Sequence, residues 1–195
     1  LAVVWAILRQ HKNCKAIIVV PSSLIDNWEK EIKKWLVTRL NPLCCRSGDK
    51  AESTLQNFRI SHVAISPLLI ISYELFRKNL DTINSVPKLE LIVCDEGHRL
   101  KNKEATLTTT ALKQCKANKR IILSGTLIQN DLAELYSVID FVAPSYLGSY
   151  PSFKRKFEDP IKDAKEKKQQ LSPKAEFNLQ KLLSRFGLCT FTFRS

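Results

Sequence analysis

The apolar run "LELIVC" at residues 89–94 stops on two adjacent carboxylates, Asp95 and Glu96, followed at once by Gly97 and His98. On its own, an Asp-Glu pair after a strand is commonly only a turn or a helix cap, since short acidic side chains bond their own backbone. Its place at the tip of a hydrophobic strand adds a second chemistry. A carboxylate there can hold a hydrated Mg2+ against the β and γ phosphates of a nucleotide. The next carboxylate can take a proton from an attacking water. Phosphoryl transfer asks for little beyond positioning, metal and charge neutralisation, and Asp-Glu-x-His at a strand end supplies two of those parts. His98 alone is an ordinary surface or core histidine; the two carboxylates before it promote it to a candidate.

For such residues to meet a ligand, a sheet must bring its strand ends to one edge. Four runs rich in Ile and Val, "AIIVV" (16–20), "LLIIS" (68–72), "LELIVC" (89–94) and "RIILS" (120–124), are continuous rather than alternating. That is the pattern of strands buried on both faces. Helix-like segments follow them. "SLIDNWEKEIKKWL" (23–36) sets Trp28, Ile32, Trp35 and Leu36 on one stripe, with Ser23 and Asp26 as a start signal. This spacing makes both tryptophans core residues rather than stacking platforms, and Ser22 and Ser23 candidate caps. "KEATLTTTALKQC" (103–115) and "NDLAELYSVIDFV" (130–142) read the same way. Strands alternating with helices predict an α/β doubly wound parallel sheet with helices on both faces. Ligands of such sheets bind outside the carboxyl ends of the strands. "PSSL" (21–24), "YE" (73–74), "DEGH" (95–98) and "GTLIQN" (125–130) collect there.

The bulk properties narrow the field. The chain has 195 residues, 44% hydrophobic and 26% charged, with a net charge of +12. That balance suits one globular domain with a polyanionic partner. From residue 151 onward, 11 basic residues face 5 acidic ones. The apolar stretches are too short to span a bilayer, and no membrane partner is expected. Six cysteines without CxxC pairs read as reduced thiols with no zinc site, and Cys94 as a small buried hydrophobe. There is no methionine and the chain opens on Leu1, so a piece of a longer protein is expected. "DAKEKKQQLSPKAE" (163–176) reads as a linker or exposed helix, and "NLQKLLSRFGL" (178–188) as an amphipathic helix.

"DEGHRLKN" (95–102) resembles the Walker B box of the SWI/SNF-type ATPases, the DNA-translocating branch of the superfamily-two helicases. "VVPSSLIDNWEKEIKKWL" (19–36) resembles their motif Ia, "LLIISYELFR" (68–77) their motif Ib region and "ILSGTLIQNDLAELYSVIDFV" (122–142) their motif III. "IISYE", "DEGHRLKN" and "LGSYPSFKRKFEDPI" (147–161) are similar to the recombination-repair translocases of the RAD group. The resemblance covers residues 1–161 and implies a RecA-like ATP-binding lobe, with 162–195 as a charged linker and terminal helix with an atypical tail. It implies ATP and Mg2+ as cofactors, hydrolase activity, double-stranded DNA as partner, a strand-exchange recombinase or chromatin beside it, and the nucleus as location. Asp95 would hold Mg2+ through water, Glu96 would activate the hydrolytic water, and His98 would link the nucleotide site to motif III. Ser124, Gly125, Thr126 and Gln129, with Asn130 nearby, would couple the nucleotide to DNA grip. Pro21, Ser22, Ser23, Ser72 and Tyr73 would follow the phosphates of one DNA strand.

The sequence departs from the family in several places. Its five glycines include no Gly-Lys-Thr or Gly-Lys-Ser loop to anchor phosphates. The fold is therefore expected to be incomplete, with the first strand and phosphate loop missing and an unpaired apolar sheet edge left behind. The second lobe and its arginine finger are absent too. Leu127 stands where the family usually has Pro, and "LCTFTFRS" (188–195) lacks the expected paired arginines. The expectation is a fragment of a DNA translocase of recombination repair or chromatin remodelling that hydrolyses no ATP alone. The alternative is a truncated, catalytically inactive DNA- or partner-binding module. The +12 charge predicts weak binding to duplex DNA that falls steadily as salt rises. Fluorescence anisotropy of a labelled duplex across a salt series checks this; binding indifferent to salt contradicts it.

Overall fold

The computed structural model describes residues 1–11, 13–37, 39–97, 103–124, 132–167, 170 and 172–185. They cluster into two compact units, Leu1–Gly125 and Thr126–Ser195. The first is built on a parallel sheet of five strands among the described residues: Lys15–Val20 (β1), Pro42–Cys45 (β2), Leu68–Ser72 (β3), Leu89–Cys94 (β4) and Lys119–Ile122 (β5), in the order β2-β3-β1-β4-β5. The four expected strands are all present, and β1, β3 and β4 are buried throughout. β2 has no counterpart in the sequence reading. It is an edge strand of four residues, "PLCC", without Ile or Val, and its proline sits where an edge strand tolerates one, at the first position.

Helices Ala2–Gln10 (α1) and Ile25–Leu36 (α2) cover one face, where Val4, Ile25, Ile32 and Leu36 pack with Ala16, Ile18, Val20, Leu68, Ile70, Leu91 and Val93. Strand residues of the other parity, such as Ile17, Val19, Ile71 and Cys94, point to the opposite face. There α4 (Tyr73–Lys78) packs on β1 and β3, with α3 (Ala51–Ile60), α5 (Leu80–Asn84) and α6 (Lys103–Gln114) beside it or on each other. This is the doubly wound arrangement expected. β5 lies at the sheet's edge, bonded to β4 alone, and its residues are partly exposed where the inner strands are not.

Helix α2 corrects two expectations. It is entered through a single 3-10 turn, Ser22–Leu24, and no side chain caps it, so Ser22 and Ser23 are exposed rather than capping residues. Trp35 is 65% exposed, with its indole N–H bonded to Glu31 Oε2 at 2.7 Å. At 3.6 residues per turn it falls about 80° from the centre of the Ile25–Ile32–Leu36 stripe, on the helix flank. Cys94 is fully buried, as expected, and burial pushes its thiol up.

The second unit gathers α7 (Leu132–Val142), α8 (Tyr150–Phe153), a π-helical stretch (Lys154–Glu158), α9 (Asp159–Glu166) and α10 (Pro173–Arg185). Leu132, Leu135, Ile139, Phe153, Ile161 and Leu182 form its core, with Tyr136 and Phe153 rings 5.1 Å apart. The helix expected over 178–188 begins earlier, at Pro173, and residues 163–166, read as linker or exposed helix, close α9. Leu182 of α10 thus joins this core.

One buried charge ties sheet to helix at the opposite edge from the candidate site. Lys15, the first residue of β1, is 1% exposed. Its ammonium donates to the carbonyl oxygens of Phe58, of Arg59 (3.2 Å) and of Ser61 (2.8 Å), where α3 ends. Burial lowers the Lys15 pKa, and the three carbonyls and the helix C-terminus favour the charged form. Lys15→Met keeps the stem and orphans those carbonyls; a loss of about 2–3 kcal/mol is expected from the charged hydrogen bonds removed. Urea unfolding should show an earlier midpoint at unchanged slope. An unchanged midpoint would show the bonds to be of no consequence.

Candidate active site at the strand ends

The strand register builds the site. Val19 pairs with Cys94, Val20 with Ser72, and Cys94 with Ile122. Because all these strands are parallel, the residues that follow them emerge at one edge: Pro21 after β1, Tyr73 after β3, Asp95 after β4 and Leu123 after β5. Asp95 and Glu96 are half-buried there, between the buried strand and solvent.

Each polar atom of Asp95 has a partner. Its N–H donates to the Val19 carbonyl at 2.9 Å, and its carbonyl oxygen accepts the Tyr73 hydroxyl at 2.6 Å. Oδ1 accepts the Glu96 N–H at 2.9 Å, and Oδ2 accepts the Trp28 indole N–H at 2.7 Å. Val19 and Tyr73 therefore hold the Asp95 backbone, while the Glu96 N–H and the Trp28 indole fix its carboxylate. Bonds of this kind, to an ionised acceptor, are the strong ones. Each oxygen accepts one protein donor and keeps lone-pair capacity for a further one.

The turn itself is tightly shaped. Glu96 has φ +53°, in the left-handed region that non-glycine residues enter at a cost. Gly97 then donates to the Leu123 carbonyl at 3.0 Å, and Leu123 donates back to the Cys94 carbonyl at 2.8 Å, lacing β4 to β5. A Cβ on Gly97 would stand 2.6 Å from Ile122 Cγ2, so this close approach admits only glycine unless Ile122 shifts.

The expected DNA-facing residues lie along the same edge. Pro21 is buried, and Ser22 and Ser23 are exposed on the turn that starts α2. Ser72 is 4% exposed and its hydroxyl caps α4 by accepting the Leu75 N–H at 3.3 Å. The Tyr73 phenol is spent on Asp95; burial, then the nearby Cys94 and Asp95, push its pKa up, so it remains a protonated donor. Ser124 is half-buried beyond β5. His98, Gly125, Thr126, Gln129 and Asn130 lie outside the described residues. Trp28 packs against the core, as its helical spacing predicts, but its bond to Asp95 has no signal in that spacing. An indole N–H needs a partner when half-buried, but helical spacing cannot say that the partner is 67 residues away.

Asp95 suits Mg2+. It offers hard oxygen donors, and an ion of this kind typically takes one or two carboxylates and keeps several waters. Among the described residues no group of three or more His, Cys, Asp or Glu could hold a metal by itself. No helix among them is long and apolar enough to cross a membrane.

The SNF2-related domain model matches residues 1–190. A RAD54-like DNA repair and recombination protein of Drosophila willistoni is 46% identical over 169 residues, covering 81% of this chain and 21% of that protein. Its Danio rerio counterpart is 40% identical over 201 residues, covering 97% of this chain and 27% of the relative. The chain thus spans about a quarter or less of the length of these curated relatives. The Sulfolobus solfataricus SWI2/SNF2 ATPase core in complex with dsDNA superposes with a TM-score of 0.72 at 25% identity, over 95% of this chain and 35% of that one. That likeness carries the RecA-like sheet, and with it the strand-end edge on which Asp95 and Glu96 stand. Matched along nearly its whole length, the chain belongs to the SNF2-related domain family.

Proposed function

We propose that the chain is a stretch of the first motor lobe of an ATP-dependent double-stranded-DNA translocase of recombination repair. The observation that carries this reading is the Asp95–Glu96 turn. Two adjacent carboxylates stand at the carboxyl end of a fully buried strand, one of them held by donors from neighbouring connections. The 46% identity to a RAD54-like DNA repair and recombination protein, and the likeness to an ATPase core in complex with dsDNA, support the choice of pathway and partner.

In this reading Asp95 holds Mg2+ through water, and the ion neutralises phosphate charge when bound. Trp28 and the Glu96 N–H keep the Asp95 carboxylate in one orientation. Glu96, placed by its left-handed backbone, orients the attacking water and accepts its proton. His98, Ser124, Gly125, Thr126 and Gln129 take the role of answering to the nucleotide. Pro21, Ser22, Ser23, Ser72 and Tyr73 line the path of one DNA strand and meet its phosphates without reading sequence. The full-length protein works in the nucleus, beside a strand-exchange recombinase or on chromatin.

A graft tests this. Substituting residues 1–190 for the matching stretch of the Danio rerio relative should preserve DNA-dependent ATP hydrolysis. Glu96→Gln in that graft should lower kcat by about 10²–10⁴-fold, the usual contribution of a positioned base, with duplex binding retained. A folded graft that binds DNA but is as inactive as its Glu96→Gln form supports the rival reading, a binding module whose carboxylates do no chemistry.

A further inference from the structure

We propose that Trp28 and Tyr73 are positioning residues that connect the DNA-facing connections to the metal-holding carboxylate, so that DNA on those connections reorients Asp95. This rests on the function proposed above and deepens it by naming the route of communication. Trp28 sits in the first turn of α2, immediately after the Pro21–Leu24 turn, whose Leu24 N–H bonds the Pro21 carbonyl at 2.9 Å. Tyr73 is the first residue of α4, directly after the Ser72 cap. Trp28 therefore belongs to the helix that begins at the exposed Ser22 and Ser23, and Tyr73 to the helix that begins at Ser72, both on the proposed DNA-facing edge. Each also ends on a different atom of Asp95: Trp28 on the carboxylate oxygen Oδ2, Tyr73 on the backbone carbonyl.

The two bonds are unequal in kind, and this gives the link a direction. Trp28 has one N–H and no acceptor, so it can only hold or release the carboxylate. Tyr73 has one O–H proton. It can donate to the Asp95 carbonyl or to a phosphate oxygen, not to both. DNA that recruits the Tyr73 hydroxyl therefore frees the Asp95 carbonyl. The turn it frees is already under backbone constraint, with Glu96 at φ +53° and no room for a Cβ at Gly97 unless Ile122 shifts.

The test uses the whole chain labelled with 5-fluorotryptophan. Its three tryptophans give three 19F resonances, and Trp28→Phe identifies one by its disappearance; Trp5→Phe and Trp35→Phe identify it by elimination should Trp28→Phe fail to fold. Without ligand, Asp95→Asn should displace the Trp28 resonance and leave those of Trp5 and Trp35 in place. On titration with a fluorescein-labelled duplex, the Trp28 resonance should shift with the same midpoint as the anisotropy. Tyr73→Phe, which keeps the ring and deletes the O–H, should shrink that shift when the two proteins are compared at equal duplex occupancy by anisotropy; an undiminished shift at equal occupancy overturns the part given to Tyr73. Duplex binding that leaves Trp28 unmoved overturns the link and spares the translocase reading. A chain that binds no duplex at low salt overturns both.

Discussion

A carboxylate at the end of a strand with no exposed residue is the constraint on which the rest depends. β4 runs from Leu89 to Cys94 inside the sheet, and the next residue carries a full charge. Removing a charged group from water costs several kcal/mol unless hydrogen bonds replace the water. The sheet meets that cost with the Glu96 N–H and the Trp28 indole on the two oxygens, while Val19 and Tyr73 hold the backbone on either side. Val19, Trp28 and Tyr73 come from elements far from Asp95 in sequence. The carboxylate and the parallel register that assembles its partners therefore stand or fall together.

The two edges of the sheet treat charge differently. At the amino-terminal edge, charged groups are neutralised by the protein itself. Lys15 is enclosed by the carbonyls that end α3, and Glu90, 8% exposed, accepts from Lys119 and from Asn118 at 2.8 Å, with His11 at 3.8 Å. The Lys119 contact comes first among the causes that lower the Glu90 pKa. Such groups orient elements, and each is offset by an opposite charge or by backbone carbonyls. At the carboxyl edge Asp95 and Glu96 stay half-exposed, and the Asp95 carboxylate accepts from two neutral donors, the Trp28 indole and the Glu96 N–H. That asymmetry is what a parallel α/β sheet gives its carboxyl edge, since every connection leaving a strand there converges on the same place.

Much of this was legible in the sequence, and the residues that were legible share a property. Ile17 to Val20, Leu68 to Ile71 and Leu89 to Cys94 form continuous apolar runs, which only strands buried on both faces require, so parallel topology followed from local pattern. The Asp95–Glu96 pair was visible because a charge at the end of such a run is costly without a purpose. β2 was not legible: four residues starting with proline carry too little pattern, and the strand exists because the edge of β3 is there to bond it. Trp28 and Trp35 looked alike because both lie near one helical stripe. A rotation of about 20° between them, set by 3.6 residues per turn, leaves one in solvent and the other against Asp95. Residue types and their periods thus determined the sheet, its helices and the candidate carboxylates, because each is encoded within a few neighbours. Only the tertiary structure decided which donors hold Asp95, because hydrogen bonds between residues 28, 73 and 95 depend on a register that no local stretch contains.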